Sequence, residues 1–252
     1  MGLLDLFFGK RFPFKFIYSE DYWMVDIGKH VFPVKKYRLV YEKLLSLGVK
    51  KENFVVPQPA SDDALLHHAF PDHGEGFCIL NDVAVALEKQ RVEGKIKKAM
   101  VVDCDLHQGN GTAFIFAKKD YAFTFSIHQM DIYPADKPSS SLDVGLWAGD
   151  GDEKYLAALR EHFPRLYRKF KPDLVFYLAG ADPLESDQLG GLMITKHGLM
   201  ERDWIIIEGA RRLSIPLVVL FAGGYARDVE DSVAVHLNTI EAAQKAQRKY
   251  AL

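Results

Sequence analysis

The stretch "VVDCDLHQGNG" at residues 101–111 decides how this chain is read. It begins as an apolar run and then sets Asp103, Asp105 and His107 at every second position. In extended backbone that spacing puts three polar side chains on one face. Burying them unpaired is costly. They either solvate a strand end or hold something cationic.

Comparable apolar runs stand at "FKFIY" (14–18), "KAMVVDCD" (98–105), "AFTFSI" (122–127), "DLVFYLAG" (173–180) and "PLVVLFAGG" (216–224). Each is continuous enough to form a strand buried on both faces. Between them, Tyr37 to Leu47, Asn81 to Gln90, Glu153 to Phe170, His197 to Leu213 and Val229 to Arg248 carry apolar residues at three- and four-residue spacing, the pattern of amphipathic helices. Asp152 and Thr195 are candidate caps, and Lys171-Pro172 is a stop signal. Strand and helix in alternation predict an α/β fold, three layers α/β/α with a mostly parallel central sheet. In such sheets sites form outside the carboxyl ends of the strands.

The bulk numbers agree with one domain over residues 1–252, since 48% hydrophobic and 26% charged residues are ordinary for a globular chain and no repeat or Gly/Ser/Pro-rich linker divides it. A formal net charge of −2 supplies no basic field, so nucleic acid is not an expected partner. The two cysteines, Cys78 and Cys104, make no CxxC and fit a reducing cytoplasm. The N-terminal segment has neither a cationic start nor a small-residue cleavage site, and no apolar run reaches the ~18 residues of a membrane span. Leu6 stands where myristoylation wants Ser or Thr. The expected protein is cytoplasmic, with no membrane partner. No feature of the sequence sets an oligomeric state.

Polar residues gather where the apolar runs end: Asp103, Asp105 and His107 after one, Ser126 and His128 after the next, Asp182 after "FYLAGA", and Gly223, Gly224 and Tyr225 after "VVLFA". Taken singly, an Asp after a strand is a turn or a cap, and Gly-Gly-Tyr is a turn. Gathered at one edge of a parallel sheet, they point to chemistry. Asp105, His107 and Asp182 would give a metal two carboxylates and one imidazole, with a position left open for water. That donor set suits Zn²⁺ and also accepts Fe²⁺ or Co²⁺. Upstream, "LLHHAFPDHGEGFCILND" (65–82) supplies His67 and His68, which can serve as base and acid near neutral pH. Asp103 and Asn110 are candidates to orient the two rings. The bland alternative for His67 and His68 is a surface pair at a helix start.

The segments "HHAFPDHGEGFCILND", "VVDCDLHQGNGTA", "FSIH", "AGADPLESDQLGGL" and "GGYARD", in that order, resemble the histone deacetylase family of the arginase-deacetylase fold, and its bacterial members most. The likeness runs from "FIYSEDYW" near the start to "VEDSVAVHLNTIEAA" near the end. It implies a Zn²⁺-dependent amidohydrolase acting on an acyl-lysine protein or peptide, or on an acetylated polyamine. By this resemblance Asp105, His107 and Asp182 are the zinc ligands, His67 and His68 the acid/base pair, Asp103 and Asn110 their partners, and Tyr225 the donor to the scissile carbonyl. Gly223 and Gly224 let the backbone turn tightly before Tyr225. Gly76 and Phe77 resemble one wall of the family's channel for the lysine stem, with Tyr133 on the other. A structural monovalent cation such as K⁺ is expected near Asp103.

The chain departs from the pattern between about residues 59 and 67, where the family has several tens more residues, including an acidic rim residue with no counterpart here. Three other readings set the terms of the comparison. An arginase-type ureohydrolase would need further bridging carboxylates for a second metal, whereas the order here is DxDxH with Asp182 alone before Pro183. A non-catalytic acyl-lysine reader or scaffold would have lost a ligand or Tyr225, and both are retained. A small-molecule deacetylase would differ from a protein deacetylase chiefly at the channel mouth.

Overall fold

The computed structural model describes residues 14–58, Phe70 and residues 73–250. In chain order the first half contains β1 (Phe16–Ile17), α1 (Asp21–Met24), α2 (Lys35–Ser46), β2 (Phe54–Val55), α3 (Asp82–Val92), β3 (Ala99–Asp103), α4 (Asn110–Phe116) and β4 (Ala122–Gln129). The second half contains β5 (Leu142–Leu146), α5 (Asp152–Phe170), β6 (Leu174–Ala179), α6 (Lys196–Arg212), β7 (Leu217–Phe221) and α7 (Val229–Lys249). Strands β5-β4-β3-β6-β7, in that order, form one sheet in which every neighbouring pair is parallel.

All five residues of β3 are buried because the strand is central and both faces are covered. Its side chains alternate: Met100 and Val102 join Leu159, Phe163, Tyr167 and Ile206 in one core, while Ala99 and Val101 join Val83, Leu87 and Phe116 in another. The first core is made with α5 and α6, the second with α3 and α4. Helix α5 supplies its share through Tyr155, Leu156, Leu159, Phe163 and Tyr167, a stripe at helical spacing. It ends as read, at Lys171, whose φ of 55° is left-handed and whose N–H closes on Tyr167 O, with Pro172 next.

Chain direction places the site. After β3 the chain adds β4 and β5 on one side, then crosses back to add β6 and β7 on the other, so the topological switch lies between β3 and β6. Register aligns the strand ends there, with Asp103 opposite Ser126 on β4 and Leu178 on β6. A crevice at that point is where open parallel sheets bind ligands.

Two local expectations are corrected. "FKFIY" does not join the central sheet; only Phe16–Ile17 is strand, paired in parallel with β2, and Ile17 is 63% exposed. Its aromatic residues stack instead, Phe16 on Phe54 and Tyr18 on Tyr41, over a small core of α2 and α7 that includes Val40, Leu44, Leu237 and Ile240. Asp152 is not a cap: Gly151 precedes α5, and the Asp152 carboxylate accepts from Thr195 N and Oγ1. Thr195 does cap α6, accepting from Gly198 N at 2.9 Å. Strand β5 and helix α4 were not anticipated, the first being an edge strand broken in pattern by Asp143 and Gly145, the second a helix of only seven residues.

Candidate metal centre

Beyond the last rung of the β3–β6 ladder, where Cys104 N donates to Leu178 O, the two chains carry their carboxylates toward each other. Among the described residues, Asp105, His107 and Asp182 form the one group of this kind whose donor atoms converge, all within 4.8 Å of one another. His107 Nδ1 lies 3.3 Å from Asp105 Oδ1 and 3.5 Å from Asp182 Oδ2. Backbone amides aim the carboxylates: Asp182 Oδ1 accepts from Leu106 N at 3.0 Å, Asp105 Oδ2 from Gly223 N at 2.8 Å, and Asp105 Oδ1 from His107 N at 2.9 Å. Asp182 Oδ2 is buried with no hydrogen-bond donor among the described residues. An oxygen so placed beside a second carboxylate is a ready metal donor.

The electrostatics say the same. Burial alone would lower the His107 pKa, yet the adjoining Asp105 and Asp182 carboxylates outweigh it and push it up to about 10. Burial and the Asp105 charge push Asp182 up, whereas at Asp105 burial is opposed successfully by the His107 ring and the carboxyl is held down. The buried Asp182 and half-buried Asp105 carboxylates thus demand positive charge between them. A dication bound by all three groups meets that demand directly.

Glycine leaves the room. A Cβ on Gly223 would stand 1.9 Å from Asp182 Oδ2 and 2.6 Å from Asp105 Oδ2, and one on Gly180 would stand 2.7 Å from Asp105 Cα. Gly224 has a φ of +135°, which an L side chain rarely adopts. Together they bring the backbone of residues 222–225 against the carboxylates. That loop is held from three sides: Asp187 Oδ2 accepts from Tyr225 N at 2.7 Å, Gln188 Nε2 donates to Tyr225 O at 2.8 Å, and Lys36 Nζ donates to Ala222 O at 2.7 Å.

Tyr225 is buried beside the ring of Phe77, with centroids 6.0 Å apart. Burial first, then the charges of Asp105 and Asp182, raises its pKa, so its hydroxyl keeps its proton and can donate. Phe77 and Tyr133 are both exposed; Tyr133 stands against His107 with centroids 6.3 Å apart. Gly76 and Phe77 have φ of 60° and 64°, a left-handed turn that presents the Phe77 ring to solvent.

The remaining expected residues sit close by in different company. Asp103 Oδ1 accepts from Asp105 N at 3.0 Å, and its Oδ2 occupies space that any Cβ on Gly109 would enter, at 2.3 Å. It holds the backbone of the loop that carries Asp105 and His107. Burial and the Asp105 charge raise its pKa. Asn110, at the start of α4, donates to Glu75 Oε1 at 3.1 Å, and Tyr133 donates to the same oxygen at 2.7 Å. Ser126 and His128 on β4 pair with each other, Oγ to Nδ1 at 2.9 Å, outside the converging group. Burial pushes His128 down to about 4. His67 and His68 lie outside the described residues.

Several residues of the site escaped sequence reading. Glu75 and Asp187 stand in glycine-containing loops, and nothing in sequence marks them as acceptors for Tyr133 and Tyr225. Lys36 lies just ahead of the helix read from Tyr37, within α2 as it forms, and is fully buried, its Nζ 4.9 Å from the Phe32 ring centroid and 5.6 Å from that of Tyr225. Its burial lowers its pKa to about 8, against the pull of Asp182 and Asp105.

Comparison with known proteins identifies the family and the fold. The profile of the histone deacetylase domain matches residues 42–240. An uncharacterized protein of Picosynechococcus is 43% identical over 170 residues, covering 68% of this chain and 57% of the relative. Histone deacetylase 2 of Arabidopsis thaliana is 34% identical over 174 residues, covering 66% of this chain and 45% of its own length. The chain therefore spans about half the length of the curated relatives it matches. A crystal structure of a histone deacetylase homologue from Aquifex aeolicus superposes with a TM-score of 0.76 at 19% identity, covering 91% of this chain and 83% of the other. Among the described residues, no helix is long and apolar enough to cross a membrane.

Proposed function

Because the chain belongs to the histone deacetylase family, whose domain profile spans residues 42–240, we propose that it is a zinc-dependent deacetylase that hydrolyses the amide of an acyl-lysine or an acetylated polyamine. The reading takes residues 1–252 as one catalytic domain, shortened between about residues 59 and 67. The observation that carries it is the convergence of Asp105, His107 and Asp182 on one point, with Asp182 Oδ2 buried and without a donor among the described residues.

These three residues would hold the ion. Bound there, Zn²⁺ supplies a Lewis acid for the amide carbonyl and lowers the pKa of a coordinated water; Fe²⁺ or Co²⁺ would suit the same donors. The chain's own residues do the rest. Tyr225, protonated at neutral pH, donates its hydroxyl to the carbonyl oxygen as charge develops there. His67 and His68 take a proton from the attacking water and return one to the leaving amine. Asp103 fixes the loop bearing two of the ligands, with a structural monovalent cation such as K⁺ beside it, and Asn110 completes the support of the histidine pair. Phe77 and Tyr133 flank the approach as apolar walls for an uncharged acyl-amine stem, and Gly76, Gly223 and Gly224 give the backbone its close turns.

The test is the metal-loaded protein assayed against acyl-lysine peptides of several chain lengths and against acetylpolyamines. Release of free amine that stops on chelation is expected. A fully metal-loaded protein that releases no amine from any of them would contradict the proposal and favour an acyl-lysine-binding role.

A further inference from the structure

Helix α6 buries an ion pair directly beneath the candidate metal centre. Arg202 and Asp203 are both fully buried. Arg202 Nε donates to Asp203 Oδ1 at 2.9 Å, and Nη2 stands 2.8 Å from the same oxygen. Asp203 is held in turn: Tyr177 on β6 donates to its Oδ1, and Thr239 on α7 donates to its Oδ2 at 2.6 Å. A buried pair of this kind is a weak source of stability, because desolvation offsets much of the attraction. Its geometry shows a more specific use.

The remaining arm of the guanidinium, Nη1, donates to Gly180 O at 2.5 Å and reaches Cys104 O at 3.3 Å. Those carbonyls belong to the exits of β6 and β3, just past the last backbone rung between them. Cys104 immediately precedes Asp105, and Gly180 precedes Asp182 by two residues. The exits touch there, since a Cβ on Gly180 would stand 2.7 Å from both Asp105 Cα and Asp182 Oδ1. Where the ladder ends, one side-chain donor takes its place.

We propose that Arg202 is a positioning residue for the metal centre: anchored by Asp203, it ties the exit of β3 to the exit of β6 and sets the separation of Asp105 and Asp182. This rests on the reading of Asp105, His107 and Asp182 as metal ligands. Arginine is required because its planar fork serves the carboxylate and the two carbonyls at once, which a single ammonium cannot do in fixed directions. The contact is to backbone, so Arg202 acts through the placement of the ligands and not on the ion.

The experiment compares Zn²⁺ affinity and the Co²⁺ d–d absorption spectrum of wild type, Arg202→Lys, the double variant Arg202→Met/Asp203→Asn, and Thr239→Val. Melting is recorded with and without metal. Arg202→Lys keeps the charge and loses the fork; the double variant leaves no unpaired buried charge and carries the test if Arg202→Lys does not fold; Thr239→Val only loosens Asp203. Zn²⁺ affinity is expected to fall about ten- to a hundredfold in the first two variants and less in the third, with a changed Co²⁺ spectrum. A purely structural role predicts lower melting temperatures with wild-type affinity and spectrum in the folded protein, and that result overturns the proposal while leaving the metal reading intact. Wild-type protein that binds neither ion would overturn the metal reading, and this inference with it.

Discussion

Replacing Gly223 with alanine tests the metal centre without touching any ligand. The new Cβ would stand 1.9 Å from Asp182 Oδ2, 2.4 Å from Asp182 Cγ and 2.6 Å from Asp105 Oδ2, where Cβ atoms keep at least 3.0 Å. Asp182 must then retreat by about 1.1 Å, or the 222–225 backbone must lift by as much and break the Gly223 N–H bond to Asp105. Metal sites tolerate ligand displacements of about 0.2 Å, so either response exceeds the tolerance several-fold. Zn²⁺ affinity should drop at least about a hundredfold, beyond what loss of a supporting hydrogen bond costs. Competition titration against a chromophoric chelator measures it, with circular dichroism confirming the fold. Gly151→Ala is the control, since its Cβ would meet only Met193 O at 3.4 Å. Folded Gly223→Ala protein with wild-type Zn²⁺ affinity would refute the placement of the ion between Asp105 and Asp182.

Tyr225→Phe keeps the ring and removes the donor, so kcat should fall about a hundredfold or more while bound zinc and melting temperature stay near wild type; a variant that retains most of its kcat would return the carbonyl to the metal and the histidines alone. Lys36 gives a pH signature. Its folded pKa of about 8 lies below the ordinary 10.5, so between those values the unfolded chain binds more protons and stability rises with pH, by on the order of 3 kcal/mol. Denaturant titrations at pH 7.5 and 10.5 should show wild type gaining this much relative to Lys36→Met, the buried tyrosines and cysteines titrating alike in both, and identical pH profiles for the two proteins would remove the buried charge from the account. Asp187→Asn should lower kcat with little change in bound metal, because it weakens the acceptor that seats the Tyr225 backbone amide; parallel loss of metal and kcat would show that Asp187 supports the ligands instead.

The central sheet was legible in sequence because β3 and β6 are buried on both faces and so appear as unbroken apolar runs. Helices α2, α3, α5, α6 and α7 were legible because each buries apolar residues at helical spacing. "FKFIY" misled for the same reason: aromatic residues that stack on a neighbouring helix give the same apolar run as a central strand. The edge strand β5, exposed at alternate residues and interrupted by glycine, gives almost no run at all. At the candidate site, alternation past the end of β3 picked out Asp105 and His107, and the strand-end rule picked out Asp182. Lys36, Glu75, Asp187 and Arg202 stayed hidden, since their roles depend on contacts made across the fold: Lys36 with Ala222, Glu75 with Asn110 and Tyr133, Asp187 with Tyr225, Arg202 with Cys104 and Gly180. A buried lysine or arginine on a helix is spelled like an exposed one.

The most direct test of the central claim is the rate of amine release from an acyl-lysine substrate, followed as Zn²⁺ is added stepwise to metal-free protein. The account predicts a linear rise that breaks at one equivalent per chain in wild type and no rise in Asp182→Ala. A break at two equivalents would favour a two-metal centre of the arginase type, and a flat response in metal-loaded wild type would contradict the assignment of deacetylase chemistry to Asp105, His107 and Asp182.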